Sequence, residues 1–179
     1  KPLSDLFDET FSYIKNINDE LNESTITLLT NSVLTFSDLI TNRKTDYKFD
    51  LEKFTNVNGK TGIYVQYSQV RAKKLIDTMN NQSKVIEELI LNKTDKDLLS
   101  KLFLFSYYLE QSALLNEPHH LANYLYEISN LFNQFYEDEK LSEITNINHI
   151  ASKLYITNLF LTTSHNTMFC LGILPVNKM

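Results

Sequence analysis

The chain has 179 residues, 42% of them apolar, and carries 17 Lys and Arg against 22 Asp and Glu for a net charge of −5. That suffices for one sizeable globular unit, while the acidic balance argues against a broadly basic surface that would hold nucleic acid without selectivity. No apolar run reaches the roughly 18 to 20 residues that cross a bilayer, so no membrane partner is expected. The single Cys170 excludes an internal disulfide and suits a cytoplasmic setting.

Only three Gly and three Pro occur, fewer than turn-rich sheet folds use, so an all-α fold is expected. The first residue is Lys1 rather than Met, which points to a piece of a longer chain. Asn-x-Ser/Thr sequons begin at Asn22, Asn81 and Asn92; in an Asn-rich chain they read as chance matches.

In chain order, a helix is predicted over 4–22, opened by Ser4 and carrying Leu6, Phe7, Phe11, Ile14 and Ile17 at helical spacing. A second follows over 24–39 with Ile26, Leu29, Val33 and Phe36 as its buried stripe. Residues 41–59 are polar and broken, with Tyr47-Lys48-Phe49 as one short extended piece and Asn58-Gly59 as a turn. The helical pattern resumes from Thr61 to about Met79. Ser83 then caps a helix with Val85, Ile86, Leu89 and Ile90. Thr94 or Asp95 opens another, with Leu98, Leu99, Leu102, Phe103, Phe105 and Leu109 on its apolar side. Asn116-Glu117-Pro118 starts a helix carrying Leu121, Leu125, Ile128, Phe132 and Phe135. The last helix spans 147–169, ended by Gly172 and Pro175. Four or five helices after residue 60 thus form a bundle, and the 41–60 segment divides the chain into 1–60 and 61–179.

Catalytic chemistry is not evident. There is no Gly-rich phosphate loop, Cys-x-x-Cys pair or His-Glu-x-x-His. Adjacent His119 and His120 point in different directions on a helix and make a poor metal site, so no metal is expected. Cys170 has its nearest His five residues away, off the same face, and Glu137-Asp138-Glu139 reads as a solvated helix end.

The charge is unevenly spread. Residues 60–84 hold Lys60, Arg71, Lys73, Lys74 and Lys84 against Asp77 alone, a basic island between acidic flanks. Within it, Tyr64, Tyr67 and Arg71 fall within about 60° on a helix turning about 100° per residue. Two rings and a guanidinium on one face suit an unstacked RNA base. The same spacing also fits a half-buried Tyr ridge covered by Arg.

The string Gly59-x-Thr61-Gly62-x-Tyr64-x-Gln66-Tyr67-x-x-x-Arg71 resembles the helix that joins the catalytic and anticodon-binding domains of arginyl-tRNA synthetases, with Gln69 where that family usually has His. Leu3–Glu9 and Asp38–Asp50 resemble upstream family segments. Glu117-Pro118-His119-x-Leu121-Ala122-x-Tyr124-Leu125-Tyr126-Glu127 and Phe132-Asn133-x-Phe135-Tyr136 resemble the core helix of its DALR domain. Leu171-Gly172-Ile173 through Met179 resembles its C-terminus.

The resemblance implies that 1–60 closes a catalytic domain and that 61–179 is a DALR helical bundle reading the anticodon loop of tRNA(Arg). It implies a site for the central anticodon base formed by Tyr64, Tyr67, Arg71, Tyr124 and Met179, with Lys73 and Lys74 on phosphates. For Tyr124 the alternative is a core tyrosine, and for Met179 a frayed end. The parent would be a monomeric class I ligase charging tRNA with arginine, using ATP and Mg2+. The fragment itself would hold no cofactor, bind no DNA and carry no catalysis, since the nucleotide-binding fold would precede Lys1. The rival readings are a helical protein-interaction module without RNA binding, a standalone enzyme, and the helical domain of another class I synthetase.

Overall fold

A computed structural model describes residues 2–79, 88–139 and 144–179. Eight helices lie among them: α1 (Leu3–Ile17), α2 (Glu23–Leu39), α3 (Leu51–Phe54), α4 (Gly62–Met79), α5 (Lys93–Leu102), α6 (Phe105–Leu115), α7 (His119–Asp138) and α8 (Ile147–Cys170). No strand occurs among the described residues. The all-α expectation holds.

Side-chain caps from Asn22, Asp50, Asn92 and Asn146 set the starts of α2, α3, α5 and α8. Pro2, not Ser4, precedes α1, and α1 stops at Ile17 so that Asn22 can accept a bond from Thr25 N at 2.8 Å and start α2. Tyr47–Phe49 pairs with no strand; instead Phe49 and Tyr47 pack on Phe54 of α3, with ring centroids 5.2 and 5.9 Å apart. Helix α3 is one turn long, too short to carry a periodic signal, and is capped by Asp50. The helix predicted after Ser83 falls largely on 80–87, outside the described residues, and Leu89 and Ile90 beyond it are not helical.

Asn92 forms a reciprocal capping box with Asp95 at the start of α5. The single helix predicted from Thr94 through Leu109 is two. Leu98, Leu99 and Leu102 fill one face of α5, and Leu102-Phe103-Leu104-Phe105 cannot all lie on that face. The chain breaks at Phe103, which is exposed, and α6 redirects Phe105, Tyr108 and Leu109 against the core. At the other end, α8 closes with Gly172 at φ 73° and Ile173 N donating to Met168 O at 2.9 Å, a left-handed cap that a side-chain-bearing residue adopts only under strain.

Two apolar clusters result. The larger gathers Leu98, Leu125, Ile128, Phe132, Ile156 and Phe160 from α5, α7 and α8, with Phe132 and Phe160 stacked at 4.2 Å. The smaller gathers Ile14, Ile26, Leu29 and Val33 from α1 and α2. Helix α4 serves both, giving Val65 and Ala72 to the first and Ile63 and Val70 to the second. A buried ion pair, Lys153 Nζ to Asp95 at 2.7 Å, ties α8 to the start of α5.

Candidate nucleic-acid interface

The start of α4 sets the direction of every side chain that follows. Thr61 Oγ1 accepts from Tyr64 N at 3.1 Å, capping the helix, and donates to Asn56 O at 2.6 Å, which holds the preceding turn. Gly62 lies so close to α2 that an added Cβ would sit 2.2 Å from Ser32 O. With α4 pressed there, Gln66 turns inward. Its Nε2 donates to Ser32 Oγ and Leu174 O, each at 2.7 Å, and its Oε1 accepts from Val176 N at 2.9 Å. The C-terminal segment is thereby laid along α4.

The opposite face carries Tyr64, Tyr67 and Arg71, and α7 supplies the facing wall. Tyr64 OH donates to Asn130 Oδ1 at 3.3 Å and its ring tilts against Tyr126 at 5.5 Å. Burial pushes the Tyr64 phenol above its ordinary value. The Arg71 guanidinium lies 4.6 Å from the ring centroids of both Tyr67 and Tyr136. It donates to Asn133 Oδ1 at 3.1 Å, Glu137 Oε1 at 3.0 Å and Tyr67 OH at 2.6 Å. Asn133 Nδ2 in turn donates to Ser68 Oγ at 2.8 Å, returning the network to α4.

Tyr64, Tyr67, Arg71, Asn130, Asn133 and Glu137 line an open cleft of about 480 Å³ between α4 and α7. Its volume lies in the range that accommodates a small ligand of the size of a nucleotide. Aromatic surface, amide donors and acceptors, a carboxylate and a guanidinium converge in it. Such a set is able to stack on a flat ring and bond to its polar edge.

The structure brings Tyr64, Tyr67 and Arg71 together, but not the rest of the expected set. Tyr124 is fully buried, stacked on Tyr108 at 4.8 Å, and its hydroxyl donates to Leu102 O at 3.1 Å. Burial drives its phenol far up. Tyr124 is a core residue and does not line the cleft. Met179 does not line the cleft; it packs, partly buried, on the cluster of α1 and α2. Lys73 and Lys74 are both exposed but diverge. By helical geometry Lys74 stands about 60° from Arg71, whereas Lys73 is turned about 160° away. Lys73 bonds Asn177 Oδ1 at 2.6 Å beside a separate cleft of about 490 Å³ that also includes His165.

Asn130, Asn133, Tyr136 and Glu137 were not singled out from the sequence as site residues. Tyr126, Asn130, Asn133 and Glu137 nonetheless fall within about 60° on α7, opposite its apolar stripe. That phase was the available signal.

The family model described as the DALR anticodon binding domain matches residues 65–179. The chain belongs to the DALR anticodon binding domain family. Among its relatives is an arginine–tRNA ligase of Francisella tularensis subsp. novicida, 34% identical over 143 residues, which cover 75% of this chain and 25% of that protein. Another, from Frankia casuarinae, is 30% identical over 145 residues, or 80% of this chain and 24% of that protein. The chain spans about a quarter of the length of these curated relatives. In fold, it is similar to an arginyl-tRNA synthetase of Thermus thermophilus, with a TM-score of 0.84 at 18% identity over 99% of this chain and 31% of the other. The arginyl-tRNA synthetase of Plasmodium falciparum gives a TM-score of 0.80 at 23% identity, over 99% of this chain and 33% of the other. The DALR match runs from Val65 in α4 through α8, so Tyr67, Arg71, Asn130, Asn133 and Glu137 of the cleft lie inside the family segment, while Val57, Asn58 and Tyr64 lie just before it.

Proposed function

We propose that this chain is the anticodon-reading part of an arginine–tRNA ligase and that the cleft between α4 and α7 receives the central anticodon base of tRNA(Arg), a cytosine. The observation that carries this reading is the Tyr67–Arg71–Tyr136 stack beside the polar groups Asn130, Asn133 and Glu137. Loop bases are read by stacking and by bonds to their exposed edges. Cytosine presents an amine donor, which suits the Glu137 carboxylate or an Asn carbonyl, and acceptors, which suit Arg71 and the Asn amides. The relatives named arginine–tRNA ligase support the choice of tRNA.

ATP and Mg2+ use, and transfer of arginine to the tRNA, are assigned to the parent ligase, taken as a cytoplasmic monomer. No helix among the described residues is long and apolar enough to cross a membrane. The role of this chain is to position and discriminate the tRNA.

The test is a binding titration with tRNA(Arg) and with the same tRNA changed at the central anticodon base. Tighter binding to the unchanged tRNA is expected. Equal affinity for the two would refute base reading at this cleft, and no binding to either would favour a protein-interaction module.

A further inference from the structure

We propose that Glu117, His119 and His120 form a binding site for one borderline-soft divalent cation such as Zn2+, at the junction of α6 and α7. The site is separate from the cleft and independent of the tRNA reading. One ligand atom from each residue lies within 4.8 Å of the others; the two imidazole rings are tilted 33° with centroids 4.2 Å apart, so one ring must turn to aim its nitrogen at a shared ion. Glu117 Oε2 stands 3.3 Å from His120 Nε2. Three ligands on a zinc at roughly 2.0–2.2 Å would lie somewhat closer together than this, a contraction that side-chain rotation can supply.

His119 and His120 are the first two residues of α7, and Glu117 joins them from the turn that precedes the helix. Asn116 takes a left-handed conformation at φ 52°, Glu117 N donates to Ser112 O at 3.0 Å, and Ser112 Oγ donates to Glu117 O at 3.1 Å. Asn123 Nδ2 donates to His119 O at 2.8 Å, bracing the other end. The backbone carrying all three candidate ligands is therefore held without any ion.

Two further observations point to a ligand. His119 Nδ1 is buried and makes no hydrogen bond, an uncommon state for a ring nitrogen in a polar neighbourhood. Glu117 is already occupied by a cation, Lys44 Nζ at 3.5 Å, whose side chain is 72% exposed and free to swing away. Two imidazoles with one carboxylate select Zn2+, Ni2+ or Cu2+ over Mg2+ and Ca2+, which take oxygen ligands. Water would complete the coordination.

Calorimetric titration of the 179-residue chain with ZnCl2 tests the assignment. One Zn2+ per chain is expected, with no binding of Mg2+. His119→Ala and His120→Ala should remove it, and Glu117→Gln should weaken it about tenfold or more. Lys44→Gln, at an exposed position, should tighten it by removing the competing ammonium. Absence of zinc binding overturns the proposal, as does binding that His119→Ala and His120→Ala leave unchanged. If either His variant fails to fold, unchanged affinity in both Lys44→Gln and Glu117→Gln overturns it equally.

Discussion

Arg71 and Glu137 face each other across the cleft at 3.0 Å, and the pairing leaves the guanidinium electrically matched before any RNA arrives. A free guanidinium attracts phosphate from a distance; a matched one, clamped between two tyrosine rings, offers its plane and its remaining donors to a neutral ring. On the proposed reading, the cleft takes the base and phosphate is left to cations elsewhere.

Removing the clamp should therefore weaken tRNA binding without changing its response to salt. Arg71→Ala and Tyr67→Ala are each expected to lower affinity by about 1–3 kcal/mol, on the order of a tenfold to hundredfold loss. The slope of log K against log salt should stay at the parent value. Arg71→Lys should not restore binding, because an ammonium cannot stack between the rings. In the full-length ligase, tRNA use should fall far more than arginine activation. Filter binding across a salt series checks the first claim, and an equal loss in both reactions would indicate misfolding instead.

Lys74→Ala should behave in the opposite way. Its side chain stands about 60° from Arg71 on α4, so on the proposed reading its loss should weaken binding to all tRNA sequences alike and reduce the salt slope by roughly 0.7. Lys73 faces another cleft and is held by Asn177. Lys73→Ala is expected to leave the slope unchanged.

Tyr124→Phe separates core from interface. Losing the buried hydroxyl's bond to Leu102 O should cost about 1 kcal/mol in urea unfolding, while tRNA affinity stays at the parent value. The same variant alters the alkaline limb of stability. The Tyr124 phenol titrates higher in the folded chain than in the unfolded one, so its contribution is complete below about pH 10 and is lost as pH rises beyond that. In Tyr124→Phe that decline should be shallower. Tyr47, Tyr64 and Lys101, whose values are also raised, act in the same direction.

Gly62→Ala probes the seat of α4. A methyl group 2.2 Å from the Ser32 carbonyl has no flexible neighbour to displace, so α2 and α4 must separate. A loss of about 1–3 kcal/mol is expected, read as a lower thermal midpoint. Because the same shift moves Tyr64 and Tyr67, tRNA binding should weaken in parallel.

Much of this was legible from residue phase. The stripes of α2 and α7 sit in the core as their spacing implied, and Tyr64, Tyr67 and Arg71 share a face because three side chains on one helix are related by rotation alone. What the sequence withheld is which helix stands opposite. Nothing local pairs Arg71 with Asn133 and Glu137, more than sixty positions away. Tyr124 is instructive because on α7 it stands about 20° from Phe135 and 40° from Ile128, at the edge of the apolar stripe; the resemblance assigns it to RNA, whereas the helical wheel alone places it in the core. The break at Phe103 was missed because four consecutive apolar residues carry no period to reveal a change of direction.

Gln66 has a consequence for anyone shortening or decorating this polypeptide. Its carboxamide clasps both Leu174 O and Val176 N, so trimming the tail before Leu174 would strand a donor and an acceptor in the interior. The strip of backbone behind the reading helix would open to solvent, and the damage would reach α2 through Ser32. A purification handle is better placed at the opposite terminus, away from this latch.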